Sequence, residues 1–359
     1  MTIFQTMSQF GYGEAHLVRD DSVQLRAVVA IHDSRRGPAL GGCRFVSYLN
    51  EEAAIGDALR LARAMTSKAA LARLPHGGGK SVILAPEGPF DRSALLTRFA
   101  AFIDGLAGRY ITAEDAGTGL ADMELMRART QYVVGLPTER GGSGDPSPFT
   151  ALGVRRGIEA CVKIALGRDS LRGVHVAVQG VGNVGYHLCK ELHAAGAKLT
   201  CADVRDDLAK RVANELGATL VSAAEIHRTA CDVYAPCALG GALNDRTLPQ
   251  LQCKIVAGAA NNQLASDECG VQLHERGILY APDYAINAGG LINVAQEVAG
   301  YEVESARNRT LQIYGTISKI AERSRAENSP PHRVADHMVQ EILATEPAGP
   351  RAVIKVDES

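Results

Sequence analysis

The chain has no marked excess of charge of either sign: 38 Lys and Arg stand against 40 Asp and Glu over 359 residues, a net charge of −2. That balance gives no electrostatic case for nucleic acid or an anionic membrane as a partner. No apolar run is long enough to span a bilayer, and Met1-Thr2-Ile3-Phe4-Gln5 lacks the basic-then-apolar order of a signal segment. The cysteines (Cys43, Cys161, Cys189, Cys201, Cys231, Cys237, Cys253, Cys269) form no C-x-x-C pair, and several sit in apolar runs, as reduced core thiols do. Internal repeats and low-complexity segments are absent as well. A metal-free protein of the cytoplasm is the expectation. What remains is ordinary globular material, 46% hydrophobic and 22% charged, with enough length for two domains.

Val23 to Ile31 is rich in Val and Ile and reads as a strand. Asn50 reads as a helix cap, followed by Glu51 and Glu52 in a first turn where acids favour the dipole. Ile55, Leu59, Ala62 and Met65 then recur at helical spacing and deliver Lys68 near the helix end. Val82-Ile83-Leu84 reads as a short buried strand, and Leu95 to Leu106 as an amphipathic helix. From Val134 to Thr150 the chain is broken repeatedly by Gly and Pro, which marks a domain boundary. Beyond it, strands (Val174–Gln179, Lys198–Ala202, Asp232–Ala235, Lys254–Ala257, Ile278–Ala281) alternate with helices, the pattern of a parallel sheet with crossover helices. A long helical stretch is expected from about Leu291 to Arg325, and a last helix from Val334 to Leu343. The polar end, Lys355 to Ser359, is expected to be disordered.

Val174 to Gln179 runs directly into Gly180-Val181-Gly182-Asn183-Val184-Gly185, with Asp203 closing the next strand. This is G-x-G-x-x-G between strand and helix. Its glycines permit a tight turn, close pyrophosphate approach and close helix packing, while the acid can bind a ribose diol. Asp203 favours NAD over NADP, because a 2′-phosphate would face a carboxylate. Arg205, two residues on, reads as a solvated turn arginine that could soften that preference.

Pro75-His76-Gly77-Gly78-Gly79-Lys80-Ser81 carries a lysine in bare backbone, with Lys68 twelve residues earlier. Such a segment is ordinarily a solvated turn. A lysine desolvated there beside a like charge such as Lys68 would instead have a lowered pKa and could act as general acid or base. A P-loop reading fails, because the glycine required five residues before Gly79 is Leu74. Tyr110 to Thr112 reads as a short strand leading to Glu114 and Asp115, acids that would serve equally as helix caps, as Asp122 would.

These segments, taken together, resemble the glutamate/leucine/phenylalanine/valine dehydrogenase family, most closely its leucine dehydrogenase branch, from about Phe4 to Leu343. The motifs are Gly37-Pro38-Ala39-Leu40-Gly41-Gly42, Met65-Thr66-Ser67-Lys68, Gly77-Gly78-Gly79-Lys80 and Ile111-Thr112-Ala113-Glu114-Asp115. Ala235-Pro236-Cys237-Ala238-Leu239-Gly240, Gly258 to Gln263, Ala281 to Tyr284 and Asn287 to Gly290 follow in order. The resemblance implies an α/β protein of two domains. One is an α/β substrate-binding and oligomerisation domain, 1–140, with the segment 331–359 packing back on it. The other is a Rossmann-type NAD-binding domain, 141–330.

It also implies roles. Lys68 would bind the substrate carboxylate, assisted by Asn262, and Lys80 would be the general base that activates water. Asp115 would carry the proton to and from the substrate nitrogen. Gly41 and Gly42 belong to the substrate site, and Leu40, Ala113, Leu291 and Val294 would form its apolar side-chain pocket. Thr150 would hold the nicotinamide carboxamide, and Cys237 and Ala238 would line the cofactor ribose. The implied reaction is NAD-dependent oxidative deamination of a small apolar L-amino acid to a 2-oxo acid and ammonia, by a homo-oligomer without nucleic acid or membrane partners.

Ala113 is similar to the branched-chain enzymes, whereas Leu291 stands where they commonly carry Val and resembles some aromatic-preferring members. A phenylalanine-type substrate therefore stays open. So do two readings of other kinds, a dinucleotide-binding protein without catalysis and a hydroxy-acid dehydrogenase on the same cofactor fold.

Overall fold

The computed structural model describes residues 3–11, 13–238 and 240–345. The polar end, Lys355 to Ser359, lies outside the described residues. The chain divides into two compact units. The first comprises Met1–Asp145, Leu291–Ala306 and the chain from Val339 onward; the second comprises Pro146–Gly290 and Arg307–Met338. The boundaries expected from sequence, 1–140 and 141–330, differ from this division at 141–145 and at Leu291–Ala306. Hydrogen bonds explain the place of Leu291–Ala306: Glu297 accepts from Gly135 N–H (3.0 Å) and Leu136 N–H (3.4 Å). Of the segment expected to pack back on the first domain, Pro331–Met338 clusters with the second unit. The part from Val339 clusters with the first, where Arg35 donates to the Leu343 carbonyl (3.3 Å).

Among its described residues the first unit is built on a five-stranded mixed sheet, in the order β1-β2-β4-β3-β5. Its strands are β1 (Glu14–Asp20), β2 (Leu25–Asp33), β3 (Ala39–Val46), β4 (Gly77–Leu84) and β5 (Tyr110–Glu114). Its first helices are α1 (Ile3–Phe10), α2 (Glu51–Leu71), α3 (Arg92–Gly105) and α4 (Leu120–Arg127). Strand β1 pairs antiparallel with β2, and β2 with β4, while β3 runs parallel to both β4 and β5. Asn50 caps α2 as expected, its side chain accepting from Ala53 N–H at 2.8 Å.

Side chains alternate across a strand, so each face of the sheet has its own core. On one face Cys43, Phe45, Ile83 and Tyr110 pack with Leu95, Leu96, Phe99 and Ile103 of α3. On the other, Val28, Ala30 and Val82 pack under Ala54, Ile55, Ala58, Leu59 and Ala62 of α2. The period of two then puts Leu40, Gly42 and Arg44 of β3, Lys80 of β4, and Ala113 with Asp115 at the end of β5 on the α2 side.

The glycine-rich segment is not a loop. Gly77, Gly78 and Gly79 are buried residues of β4, which is eight residues long rather than the short strand expected at Val82–Leu84. The space spared by their missing side chains is filled by the protein itself. A Cβ on Gly78 would strike the backbone of Thr66 in α2, and one on Gly79 would stand 2.7 Å from the Tyr110 ring. Tyr110 cannot easily move aside, since its hydroxyl donates to the Gly41 carbonyl at 2.6 Å.

The second unit carries a six-stranded sheet in the order β11-β10-β9-β6-β7-β8, and every pair of neighbours is parallel. The strands are β6 (His175–Gln179), β7 (Lys198–Ala202), β8 (Thr219–Leu220), β9 (Val233–Pro236), β10 (Ile255–Val256) and β11 (Leu279–Tyr280). Helices α5 (Ser147–Leu166), α6 (Asn183–Ala194), α7 (Asp206–Leu216), α8 (Asp267–Glu275) and α9 (Asp283–Ile286) accompany them. This strand order is that of a doubly wound dinucleotide-binding sheet, as the alternation of strand and helix in the sequence predicts.

The long helix expected at 291–325 is instead three pieces, α10 (Gly289–Ala295), α11 (Val303–Leu311) and α12 (Ile313–Glu327). Gly300, at φ +95°, breaks the run in a conformation that suits glycine. The last helix, α13 (Pro331–Thr345), starts on a proline, which is tolerated in a first turn. Among the described residues no helix is long and apolar enough to cross a membrane.

Overpacking a tight core costs about 1–3 kcal/mol. Gly79→Ala should lower stability by at least about that much through its clash with Tyr110, whereas Gly105→Ala, with open space around the added methyl, should not. Urea unfolding of the two variants compares them.

Candidate active site

In the first unit side chains from β3 and β4 converge on Asp115, the residue after β5. Lys80, 3% exposed, donates from Nζ to Asp115 Oδ2. Arg44 donates from Nε to the other oxygen, Oδ1, at 2.9 Å. The carboxylate is placed by its own turn, in which Asp115 N–H donates to Thr118 Oγ1 (2.9 Å) and that hydroxyl donates to the Cys43 carbonyl (2.8 Å). A Cβ on Gly42 would lie 2.8 Å from Asp115 Cβ, so β3 can pass this closely only as glycine. Asp122 caps α4, its carboxylate accepting from Gly119 N–H at 3.0 Å.

Electrostatics follow from this packing. Burial pushes the Lys80 ammonium below its usual range, opposed by Asp115 and helped by the positive charge of Arg44. Arg44 is thus a like charge beside Lys80. Burial works to raise the Asp115 carboxyl, but Lys80 and Arg44 outweigh it and hold that group at about 2. Lys68 lies in the last turn of α2, half-buried, in the helix that covers β4. Leu40 and Ala113 are buried on the same sheet face as Lys80 and Asp115. Leu291 and Val294 sit one helical turn apart on α10.

Glu297 was not singled out from the sequence. Its carboxylate accepts from Gly135 N–H (3.0 Å to each oxygen), Leu136 N–H (3.4 Å) and Ser143 N–H (2.7 Å). It thus ties the segment carrying Leu291 and Val294 to the glycine-rich stretch after Val134. Burial raises its pKa, and the N–H donors pull the other way. Arg44 was missed too, although extending the alternation Leu40, Gly42, Arg44 along β3 would have found it.

In the second unit the fingerprint lies where the strand order reverses, between β6 and β9. Gly180 has φ +88°, and a Cβ on it would stand 2.7 Å from the Ala238 Cβ, so the loops after the two strands touch there. A Cβ on Gly185 would meet the Gly180 carbonyl, which makes glycine necessary for close helix packing. Gly182 caps α6 with no side chain, and the space around it is open. Asn183 and Val184 form the first turn of α6, whose N–H groups suit a phosphate. Asp203 closes β7 and accepts from buried Val181 N–H (2.7 Å) and from Arg205 N–H (2.9 Å). Those bonds leave lone pairs for a ribose diol, so these residues fit a dinucleotide.

Cys237 N–H donates to the Gln179 carbonyl (2.7 Å), fixing the loop after β9 beside the fingerprint. Thr150, in the first turn of α5, donates to the Pro146 carbonyl at 3.0 Å. Asn262 sits at φ +52° and donates its N–H to Asp283 at 2.6 Å. Arg205 pairs with Asp207 (3.0 Å) on the surface.

A doubly wound parallel sheet with a glycine fingerprint and a lysine–carboxylate pair fit the class of nucleotide-linked oxidoreductases. Residues 14–132 match the family described as Glu/Leu/Phe/Val dehydrogenase, dimerisation domain, and residues 141–209 and 203–311 match Glutamate/Leucine/Phenylalanine/Valine dehydrogenase. The chain is 49% identical to leucine dehydrogenase of Geobacillus stearothermophilus, over 96% of this chain and 94% of that protein. It is 42% identical to valine dehydrogenase of Streptomyces albus, over 96% and 95%. A crystal structure of L-tryptophan dehydrogenase from Nostoc punctiforme superposes with a TM-score of 0.84 at 41% identity, covering 95% of this chain and 98% of that one. The chain belongs to the Glu/Leu/Phe/Val dehydrogenase family. It is an amino-acid dehydrogenase of the leucine dehydrogenase group, an oxidoreductase acting on a CH–NH2 group, and its family uses NAD(P).

An unsatisfied buried donor costs about 1–3 kcal/mol. Glu297→Gln puts an NH2 group among N–H donors, so it should destabilise the protein by about that amount; differential scanning fluorimetry would register the drop. The pH dependence of Asp115 has a definite sign. Its folded pKa, about 2, lies below the ordinary carboxylate value, so its stabilising contribution is complete above about pH 4 and is lost as pH falls through about 2. The stability gap between wild type and Asp115→Asn should therefore narrow over that interval, as acid titration of urea midpoints would record.

Proposed function

We propose that this enzyme catalyses the reversible, NAD-dependent oxidative deamination of a small apolar L-amino acid, of the leucine, valine or isoleucine type, to the 2-oxo acid and ammonia. The observation that carries the proposal is the buried Lys80–Asp115 pair, set on one sheet face with Leu40 and Ala113. NAD, if bound, would supply the acceptor for a hydride from the substrate Cα. Gly180 to Gly185, Asp203, Thr150, Cys237 and Ala238 are the residues proposed to hold it. The Asp203 carboxylate supports NAD over NADP, because it would repel a 2′-phosphate.

Lys68 binds the substrate carboxylate. Lys80, its proton loosened by burial and by Arg44, takes a proton from the water that adds to the imine carbon. Asp115 carries a proton to the departing nitrogen, and ammonia leaves. None of Leu40, Ala113, Leu291 and Val294 offers a cation to a side-chain carboxylate, which supports an apolar substrate. The dimerisation domain of the family supports a homo-oligomer, and eight cysteines without a disulfide suit the cytoplasm.

A second reading, an aromatic substrate, is favoured by Leu291 and by the similarity to tryptophan dehydrogenase. One or two methylenes change selectivity by only about 1–3 kcal/mol. NADH formation over a panel of L-amino acids separates the readings: kcat/KM for leucine or valine should exceed that for phenylalanine by at least about tenfold, and the reverse order supports the aromatic one. Lys80→Ala should abolish turnover while NADH still binds, as its fluorescence would report. Normal deamination by that variant sinks the assignment of the base.

A further inference from the structure

We infer that Arg44 is a positioning residue of the proposed reaction, holding Oδ1 of Asp115 so that only Oδ2 is presented to Lys80. This rests on the reading in which Lys80 is the base and Asp115 the proton carrier, and adds a residue to it.

The guanidinium is gripped on two edges. Its Nε reaches Asp115 Oδ1 at 2.9 Å, and its Nη1 reaches Asp57 Oδ2 at 2.7 Å. Asp57, on α2, is itself fixed by the Tyr48 hydroxyl (2.7 Å) and by Arg60 Nη2 (2.6 Å). A planar fork held on two edges cannot swivel, and a carboxylate bound to it loses its own rotation. Arg44 thus spans from α2 to the residue after β5, on the sheet face that carries Lys80. A lysine at the same position would supply charge but only one compact donor group.

The charges around the pair come from every strand at this end of the sheet. Lys80 stands on β4, Arg44 and the Cys43 thiol on β3, Tyr110 and Glu114 on β5, with Asp57 and Arg60 of α2 behind Arg44. Burial pushes the Cys43 thiol up to about 12 and raises the Tyr110 phenol, so both are neutral near pH 8. Burial, Asp145 and Asp115 raise Glu114 above the usual carboxylate range. Arg44 acts on both partners in one direction: it makes Lys80 easier to deprotonate and Asp115 harder to protonate. Its loss shifts both groups toward higher pH.

The test uses the full-length enzyme, with L-leucine, NAD and NADH formation measured across pH. Arg44→Gln should lower kcat by at least about tenfold with KM changed little. It should also move the acid-side limb of kcat/KM up by about 1 pH unit. Arg44→Lys should return the limb to its wild-type position but leave kcat reduced, because the fork is gone. An Arg44→Gln profile with an unmoved limb overturns the inference, since a merely structural role scales the rate without shifting titration. If Arg44→Gln does not fold, Arg44→Lys decides: reduced kcat with unchanged KM supports the inference, and wild-type kcat overturns it. Failure of the underlying reading is separate, appearing as a wild type that oxidises no L-amino acid or a Lys80→Ala variant that still turns over.

Discussion

The first unit is organised around a charge pair of a buried Lys80 and a half-buried Asp115. Removing one partner from a buried pair costs about 3–5 kcal/mol, because the other is left uncompensated. Lys80 can be buried because Asp115 meets it, and Asp115 can sit there because Arg44, Thr118 and the backbone of its turn hold it. Every strand that touches this pair is shaped by it. Strand β3 carries Gly42 where Asp115 passes and Arg44 where its second oxygen must be met. Strand β4 brings Lys80 to the same face by the simple alternation of the pleat.

The glycines illustrate how local composition serves tertiary packing. Three in a row suggest a flexible loop, yet here they let a strand lie directly against α2 on one face and against Tyr110 on the other. Close contact at Gly78 fixes the distance between β4 and α2, and hence the setting of Lys80 relative to the helix that ends near Lys68. The bareness is room for the protein's own backbone and for a tyrosine ring.

Much of this was legible from the chain. The alternation of strand and helix after Val174 and the G-x-G-x-x-G turn anticipated the parallel sheet and the start of α6. Asn50 with Glu51 and Glu52 anticipated α2. What stayed hidden depends on contacts distant in sequence. Nothing local distinguishes Glu297 from any solvated glutamate, because its three donors lie more than 150 residues away. Strand β1, an edge strand paired only with β2, has too mixed a pattern to announce itself. The break at Gly300 was passed over because helix stands on both sides of it, and Arg44 was overlooked because the motif around it was followed only as far as Gly42.

Asp203 performs two tasks with one carboxylate. It is the acid proposed to meet the ribose diol, and it also takes the amide protons of Val181 and Arg205, one on each oxygen. Val181 is buried, so its N–H has no access to water if that acceptor is removed. Nucleotide preference and the shape of the glycine turn are therefore coupled at a single position. Neutralising Asp203 alone, as a change toward a phosphorylated dinucleotide would ask, would slacken the glycine turn by taking the acceptor from Val181. A workable exchange would retain an acceptor for Val181 and recruit cations through Val204, whose side chain is 90% exposed, and its neighbour Arg205.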